Sequence, residues 1–580
     1  MLSEQMQKQI VARAKVDDSY LPAELHPVIK QIYASRGVKH SQELNNNAAS
    51  LLSFNLLKGI DTASEILIKA LKNQQKILIV GDFDADGATS TATLVSGLKM
   101  FGFLHVDYLV PNRFELGYGL SPALAKQVVA LGADLLITVD NGISCVAGVE
   151  IVKAAGMQVI VTDHHLPGEQ LPAADAIVNP NQHGCSFPSK SLAGVGVAFY
   201  LLVALRHYLR IEQWFANLGQ AEPNIAQLLD LVALGTVADV VALDANNRIL
   251  VHQGLARIRS GQTRPGIAAL IEVAKRIPAR LSASDFGFSL APRLNAAGRL
   301  DDMSLGIACL LSPEINHAKR IAGELDSLNI ERREIEQSMQ VEAQVALDKL
   351  LKAQQSVPDA VCLYQDDWHQ GVIGILAGRL KEKYHRPTII FALGDNDELK
   401  GSCRSIEGLH MRDALEAINT QHPDLIIKFG GHAMAAGLSI QANNFERFKA
   451  VFLDAVSAIL TPEHKQSLVL TDGELPSECY TLDFAQLIKQ SGPWGQAFAE
   501  PVFADTFMLI QQRLVGEKHL KLVLKHRSGL LLDAIAFNVD LQRWPNAAVS
   551  QVHAVFVLDI NEFRGKFSLQ LLVRELQGAN

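Results

Sequence analysis

At 580 residues, with 48% hydrophobic and 20% charged positions, the chain is too long for a single core and reads as an ordinary multidomain globular protein. A net charge of −8 excludes a protein that is basic throughout, yet leaves room for nucleic-acid binding by a local positive face. Six scattered cysteines without a Cys-x-x-Cys pair argue against a zinc knuckle or a disulfide framework and fit a reducing cytosol. The opening MLSEQMQKQIVARAKV lacks the apolar core of a signal peptide, and no apolar run is expected to span a membrane, since Asp230 and Asp239 interrupt LLDLVALGTVADVVAL. The expectation is a soluble, cytoplasmic protein with no membrane association.

Residues 1 to 73 are mixed helical and polar and carry no usable motif. From residue 76, short apolar runs ending in acids or glycines alternate with helical stretches: KILIVGDFDADG, ADLLITVDNGI, MQVIVTDHH and ADAIVNPN. Strands alternating with helices imply a parallel sheet with right-handed crossovers. Residues 225–243, IAQLLDLVALGTVADVVAL, read as a buried helix broken at Gly235-Thr236. Over 315–352, Ile321, Leu325, Leu328, Ile335 and Met339 mark one apolar stripe on a highly charged segment, the pattern of a long connecting helix. A second α/β block follows, with strands AVCLY and PTIIFAL and the glycine-rich IKFGGHAMAAGLSI. Beyond about 465, five strand-like segments and a tight Arg564-Gly565 turn predict a small barrel or sandwich.

The chemistry concentrates at strand ends. KILIV runs into Gly81-Asp82-Phe83-Asp84-Ala85-Asp86-Gly87, and acids at alternate positions repel unless a cation lies between them. The run begins like a calcium loop, but it follows a strand, and position 93, where such a loop needs Glu, is Thr. DLLITV ends at Asp140, VIVT ends at Asp163-His164-His165, and Asp239 lies inside an apolar segment where an unpaired carboxylate is costly. Singly, each is read as a satisfied core group. Parallel strands bring such ends side by side, however, and a mixed Asp/His set suits Mn²⁺ or Mg²⁺, with some tolerance for Fe or Zn.

With these motifs in order, joined by NAAGRLDD (295–302) and GGHAMAAG (430–437), the chain resembles the DHH phosphoesterase superfamily over almost its whole length. Within it, the chain is most similar to the RecJ branch, single-strand-specific 5′→3′ exonucleases of bacteria. That resemblance implies an N-terminal helical segment (1–73), a parallel-sheet catalytic domain (74–312) and a connecting helix (313–356). A second α/β, DHH-associated domain (357–464) and an all-β OB-like domain (465–580) would follow. It implies two divalent ions, Mn²⁺ or Mg²⁺, held by Asp84, Asp86, Asp140, His164 and Asp239, with Asp140 as the bridge. Other members of the superfamily have a His where Val80 stands here, and the resemblance passes that ligand role to Asp82. It gives His165 and Arg299 to stabilising charge on the scissile phosphate, with Asn295 donating a hydrogen bond nearby and Asp163 orienting an imidazole. For Arg299 a salt bridge to Asp301 or Asp302 stands as the alternative.

An exonuclease must also hold an end. Arg113, Ser402, Arg404, Gly430, Gly431 and His432 are the candidates for a terminal 5′-phosphate, the alternatives being plain turn geometry for the glycines and a solvated loop charge for Arg113. Residues 511–580 hold nine Lys and Arg against six acids, and Lys518, His519, Lys521 and Lys525 alternate with leucines, which predicts one basic face. Phe537, Trp544, Phe563 and Phe567 are candidate stacking platforms, with more than half of them expected to fill the core. The expected partners are single-stranded DNA with a 5′ end, a single-strand-binding protein and a helicase, for an enzyme acting as a monomer in recombination and repair. The alternative activity is a small-substrate phosphodiesterase acting on cyclic dinucleotides or short oligonucleotides, against which the OB-like module counts. A second alternative is a non-catalytic binder on a decayed core, against which the full ligand set counts.

Overall fold

The computed structural model describes residues 8–112, 119–354 and 357–579. Two compact units emerge. The larger joins Arg13–Asn329 to the chain from Asp472 onward, and the smaller is Ile330–Thr471 with the strand Gln9–Ala12. The first 73 residues therefore do not stand apart. Arg36 makes a buried bidentate pair with Asp472 (2.6 and 2.8 Å), and Tyr33 donates to Ser491 O at 2.8 Å. Gln9–Ala12 pairs in parallel with Leu468–Thr471 in the smaller unit.

In the larger unit, five strands form one parallel sheet: β1 (Ile77–Val80), β2 (Val106–Leu109), β3 (Leu135–Val139), β4 (Gln158–Thr162) and β5 (Ala176–Val178), in the order β2-β1-β3-β4-β5. Their near-continuous apolar sequences follow from burial on both faces. Ile77, Ile79, Leu135, Ile137 and Ile160 pack on one side with Leu94, Leu98 and Tyr200, while Leu78, Val80, Leu136, Val159 and Val161 meet Leu124, Val128 and Val149 on the other. The register sets Val80 beside Thr138 and Val139 beside Thr162, so β1, β3 and β4 end along one edge.

Helices α1 (Ala85–Met100), α2 (Gly194–Ile211) and α3 (Leu229–Ala238) carry the site from beneath. Two sequence expectations fail here. α3 is not broken at Gly235-Thr236 but runs through to Ala238, because the glycine answers a close approach: a Cβ on Gly235 would stand 2.1 Å from Thr89 Oγ1 and 2.8 Å from Asp86 Oδ1. α2 is long and apolar enough to cross a membrane by length and composition, although no such run was expected. Its composition follows from its place in the core, where Val195, Val197, Tyr200, Leu201 and Leu205 are buried.

α4 (Ala291–Leu300) leads to α5 (Ile315–Gln354), a single long helix. Ile321 and Leu325 are buried in the larger unit, and Met339, Ala343 and Leu347 in the smaller, against Trp368 and Leu376. The smaller unit holds a mixed sheet of β6 (Val361–Tyr364), β7 (Thr388–Leu393), β8 (Glu398–Arg404), β9 (Lys428–Gly431) and β10 (Ala435–Gln441), flanked by α6 (Ile373–Tyr384) among other helices. Only β6 and β7 run parallel. Beyond Asp472, β11 (Phe503–Val515), β12 (His519–Lys525), β13 (Leu531–Ala536), β14 (Gln551–Phe563) and β15 (Lys566–Gly578) close a barrel in the order β11-β12-β13-β15-β14, with β13 and β15 parallel. The hairpin at Arg564-Gly565 has φ of +52° and +75°, as a two-residue turn matching strand twist requires.

Candidate metal centre

The β1 edge becomes a site because the chain turns directly into α1. Asp84 caps that helix, its Oδ1 accepting from Asp86 N at 2.9 Å and Gly87 N at 3.0 Å. Gly87 is demanded by crowding, since a Cβ there would meet Asp82 O at 2.5 Å. Asp86 accepts from the first amides of α2, Gly194 N at 2.7 Å and Val195 N at 3.0 Å. The β3 end is strained: Asp140 adopts φ of +60°, a conformation costing roughly 1–2 kcal/mol outside glycine. A side chain on Gly194 would collide with the Asp140 carboxylate at 2.7 Å. At the β4 end, the side-chain amide of Asn181 donates to His164 O and that of Asn179 to His165 O, at 2.6 and 2.9 Å. Asp239 is the residue that ends α3.

These segments converge. Ligand atoms of Asp82, Asp84 and Asp140 lie within 4.8 Å of one another, as do those of Asp86, His164 and Asp239, and those of Asp140, His164 and His165. Asp140 thus borders both halves of the cluster. His164 Nε2 stands 3.1 Å from Asp140 Oδ1 and 3.4 Å from Asp239 Oδ2. Burial, then His165, lowers the His164 pKa to about 4, so the imidazole is neutral at physiological pH and these approaches are not ion pairs. Burial, then Asp84, lifts Asp86 to about 7. Burial followed by the neighbouring acids lifts Asp140 and Asp239 well above the ordinary carboxylate value. Asp239 Oδ2 and His164 Nε2 are buried and make no hydrogen bond. Lone pairs converging from hard oxygens and an imidazole, on a site whose carboxylates resist ionising together, fit divalent cations of the Mg²⁺ or Mn²⁺ kind.

Asp163 turns inward. Its Oδ2 accepts from Ile143 N at 2.9 Å, and its Oδ1 lies 2.7 Å from His165 Nδ1. Burial opposes both charges, but this pair overcomes it: His165 is raised above its ordinary value and Asp163 lowered below its own. Asn295 and Arg299 lie on α4, which is brought against the Asp82–Asp86 turn by Gly298, where a Cβ would meet Phe83 O at 1.8 Å. The Asn295 side-chain oxygen accepts from Ala85 N at 2.8 Å, which ties α4 to the first turn of α1. Sequence reasoning missed Asn141, whose side-chain amide ties Val80 O to Val139 O, along with Asn179, Asn181, Gly194 and Gly235. The only sequence signal for the asparagines was their position just beyond a strand.

The end-binding candidates are placed elsewhere. Arg113 lies outside the described residues. Ser402 and Arg404 sit on β8 of the smaller unit, Nη1 of Arg404 donating to Cys403 O at 2.8 Å and to Ser402 Oγ at 3.3 Å. Burial depresses the Arg404 pKa, and among the described residues no carboxylate pairs with it. A Cβ on Gly374, in the first turn of α6, would stand 3.0 Å from Ser402 Oγ and 3.1 Å from Arg404 Nη2. Gly430 and Gly431 end β9; Gly430 faces open space, Gly431 has φ of +140°, and His432 begins the turn to β10. Lys518 and Lys521 flank the start of β12, whose leucines point inward, and Lys521 lies 3.6 Å from Asp533. The expectation that most of the four aromatic candidates fill the core is overturned. Only Trp544 is buried, whereas Phe537, Phe563 and Phe567 are exposed, the last two beside the Arg564-Gly565 tip of the β14–β15 hairpin.

Three family models match the chain in order: the DHH family N-terminal domain over 76–236, the DHHA1 domain over 357–458 and the RecJ OB domain over 471–575. The single-stranded-DNA-specific exonuclease RecJ of Salmonella typhimurium is 55% identical over 571 residues, covering 98% of this chain and 99% of that one. The Haemophilus influenzae protein of the same name is 53% identical over 94% and 96% of the two chains. The crystal structure of Thermus thermophilus RecJ in complex with Mn²⁺ superposes with a TM-score of 0.80 at 29% identity, covering all of this chain and 80% of that one. The Mg²⁺ complex from the same organism gives 0.74 at 27% identity, over all of this chain and 79% of that one. Identity of this extent over nearly the whole of both chains, with three family models matched in order, places the chain in the RecJ family.

Proposed function

We propose that this chain is a metal-dependent exonuclease that hydrolyses single-stranded DNA from its 5′ end to mononucleotides, serving recombination and repair in the cytoplasm. The observation that carries the reading is the gathering of Asp82, Asp84, Asp86, Asp140, His164 and Asp239 at one sheet edge. Asp82 and Asp84 would hold one Mn²⁺ or Mg²⁺, Asp86, His164 and Asp239 the other, with Asp140 shared. When bound, the pair supplies a more acidic attacking water and neutralises charge on the phosphate oxygens.

The protein's own groups do the rest. Asp163 takes the Nδ1 side of His165 and favours the protonated ring, so that Nε2 would face developing charge on the scissile phosphate. Arg299 adds a second positive charge. Asn295 holds the first amide of α1, and so fixes the turn bearing Asp82, Asp84 and Asp86. In the smaller unit, Arg404, Ser402, His432 and the amides of Gly430 and Gly431 would take the 5′-terminal phosphate, with Arg113 as a further contact. A half-buried guanidinium with no carboxylate partner among the described residues supports this assignment. Lys518 and Lys521 would bind the backbone of the strand. A single-strand-binding protein and a helicase supply that strand to a monomeric enzyme.

End-labelled single-stranded and duplex DNA, incubated with Mn²⁺, Mg²⁺ or chelator, provides the test. Mononucleotides should appear from the 5′ end of the single strand alone, and neither with chelator nor in Asp140→Ala. Full activity in chelator, or turnover confined to cyclic dinucleotides, would overturn the reading.

A further inference from the structure

Phe288 is the most exposed large apolar side chain among the described residues, at 80%. It lies in a π-helical turn, Phe286–Leu290, that leads without interruption into α4. Such wide turns are rare and tend to mark functional positions. The turn is not loose. Phe286, Ser289 and Leu290 are buried, Arg276 Nε donates to Ser289 Oγ at 3.0 Å, and Arg293 donates to Ser289 O while pairing with Asp326 at 2.8 Å. A well-anchored backbone thus holds one phenyl ring out in water, where its apolar surface is costly.

The ring's place gives it a use. A Cβ on Gly287 would stand 3.7 Å from Val237 Cγ1, in the last turn of α3 just before Asp239. Asn295 and Arg299 follow Phe288 by seven and eleven positions along one continuous helical run. Seven residues of helix cover about 10 Å, roughly two turns, so Phe288 is carried on the same helical run as the residue bonded to Ala85. A flat apolar surface beside a phosphate-cleaving cluster suits a nucleobase, because every base has a π-face and the contact is tolerant of sequence.

We infer that Phe288 is a positioning residue that stacks on a nucleobase of the single strand close to the scissile phosphate. The inference rests on the exonuclease reading above. By fixing one base it sets the phosphate in register over the cluster, and it disfavours a duplex, whose internal bases have no free face to offer.

The test combines variants with substrates lacking one base. Cleavage of 5′-labelled single strands, intact or with a single abasic site at successive positions, is measured for the wild type, Phe288→Ala and Phe288→Trp. At one position the abasic site should cost the wild type about fivefold to a hundredfold in kcat/KM, the range expected for one stacked base. Phe288→Ala should show the same loss on the intact strand and no further loss at that position, while Phe288→Trp restores the wild-type pattern. With chelator present to prevent cleavage, 2-aminopurine at that position should be quenched by the wild type and by Phe288→Trp but not by Phe288→Ala. Intact-strand activity of Phe288→Ala within twofold of wild type overturns the inference, as does an abasic penalty that persists undiminished in the variant. A fall in melting temperature, which removal of an exposed ring should not cause, also overturns it. A wild-type protein that degrades no single strand at all overturns the exonuclease reading instead.

Discussion

Asp163 spends both its oxygens inside the protein, one on Ile143 N and one on His165, and this is what separates the two histidines that follow it. His164 is held neutral by burial, whereas the carboxylate partner of His165 outweighs burial and raises its pKa above the ordinary value. Asp163→Asn removes that support while keeping the shape. His165 should then fall back toward its ordinary 6.5, so the alkaline limb of the rate profile moves to lower pH. The rate should fall about 10- to 100-fold, as for other groups that orient a site from behind. A profile of kcat against pH, measured with saturating Mn²⁺, checks both. The sequence made Asp140, His164 and Asp239 legible because ionisable groups at the ends of apolar segments are costly without a ligand. It could not show that Asp86 also binds the first amides of α2, because nothing in a strand-end motif points to Gly194 and Val195 more than a hundred positions on.

At the scale of elements, glycines decide how closely the helices approach the cluster. Gly235 looked like a helix break, yet its missing side chain is what lets α3 lie on Thr89 and Asp86. Gly235→Ala should cost about 1–3 kcal/mol, the usual penalty for overpacking, and should weaken cation binding by displacing Asp86. Gly323→Ala provides the contrast. It lies in α5 with nothing within 4 Å of its Cβ, so the change should stabilise by about 0.4–1 kcal/mol and leave activity alone. Denaturant unfolding of the two variants checks the pair. The parallel sheet and the barrel were readable from apolar runs and turn residues, because period and turn chemistry are local. The exposure of Phe563 and Phe567 was not, because strand period does not show where along a hairpin burial stops.

For the whole molecule, the cluster ties stability to cations and pH. Asp86, raised from 3.8 to about 7, gives up folding free energy as pH rises through that window, because ionising costs more in the folded chain than in the unfolded one. Cations that bind the ionised form reverse this and compete with protons below it. The melting-temperature gain on adding Mn²⁺ should therefore be larger at pH 8 than at pH 6, measured by differential scanning calorimetry. Removal of the chain from Asp472 onward should destabilise the remainder as well as weaken DNA binding, since Arg36 would lose Asp472 and Tyr33 would lose Ser491. The central claim is that Asp140 is shared by two cations, and an equilibrium Mn²⁺ titration of the purified chain at pH 8 tests it most directly. Two ions per wild-type chain, with both affinities collapsing in Asp140→Ala, is the expected result. A single ion per chain, or two that survive the loss of Asp140, would contradict it.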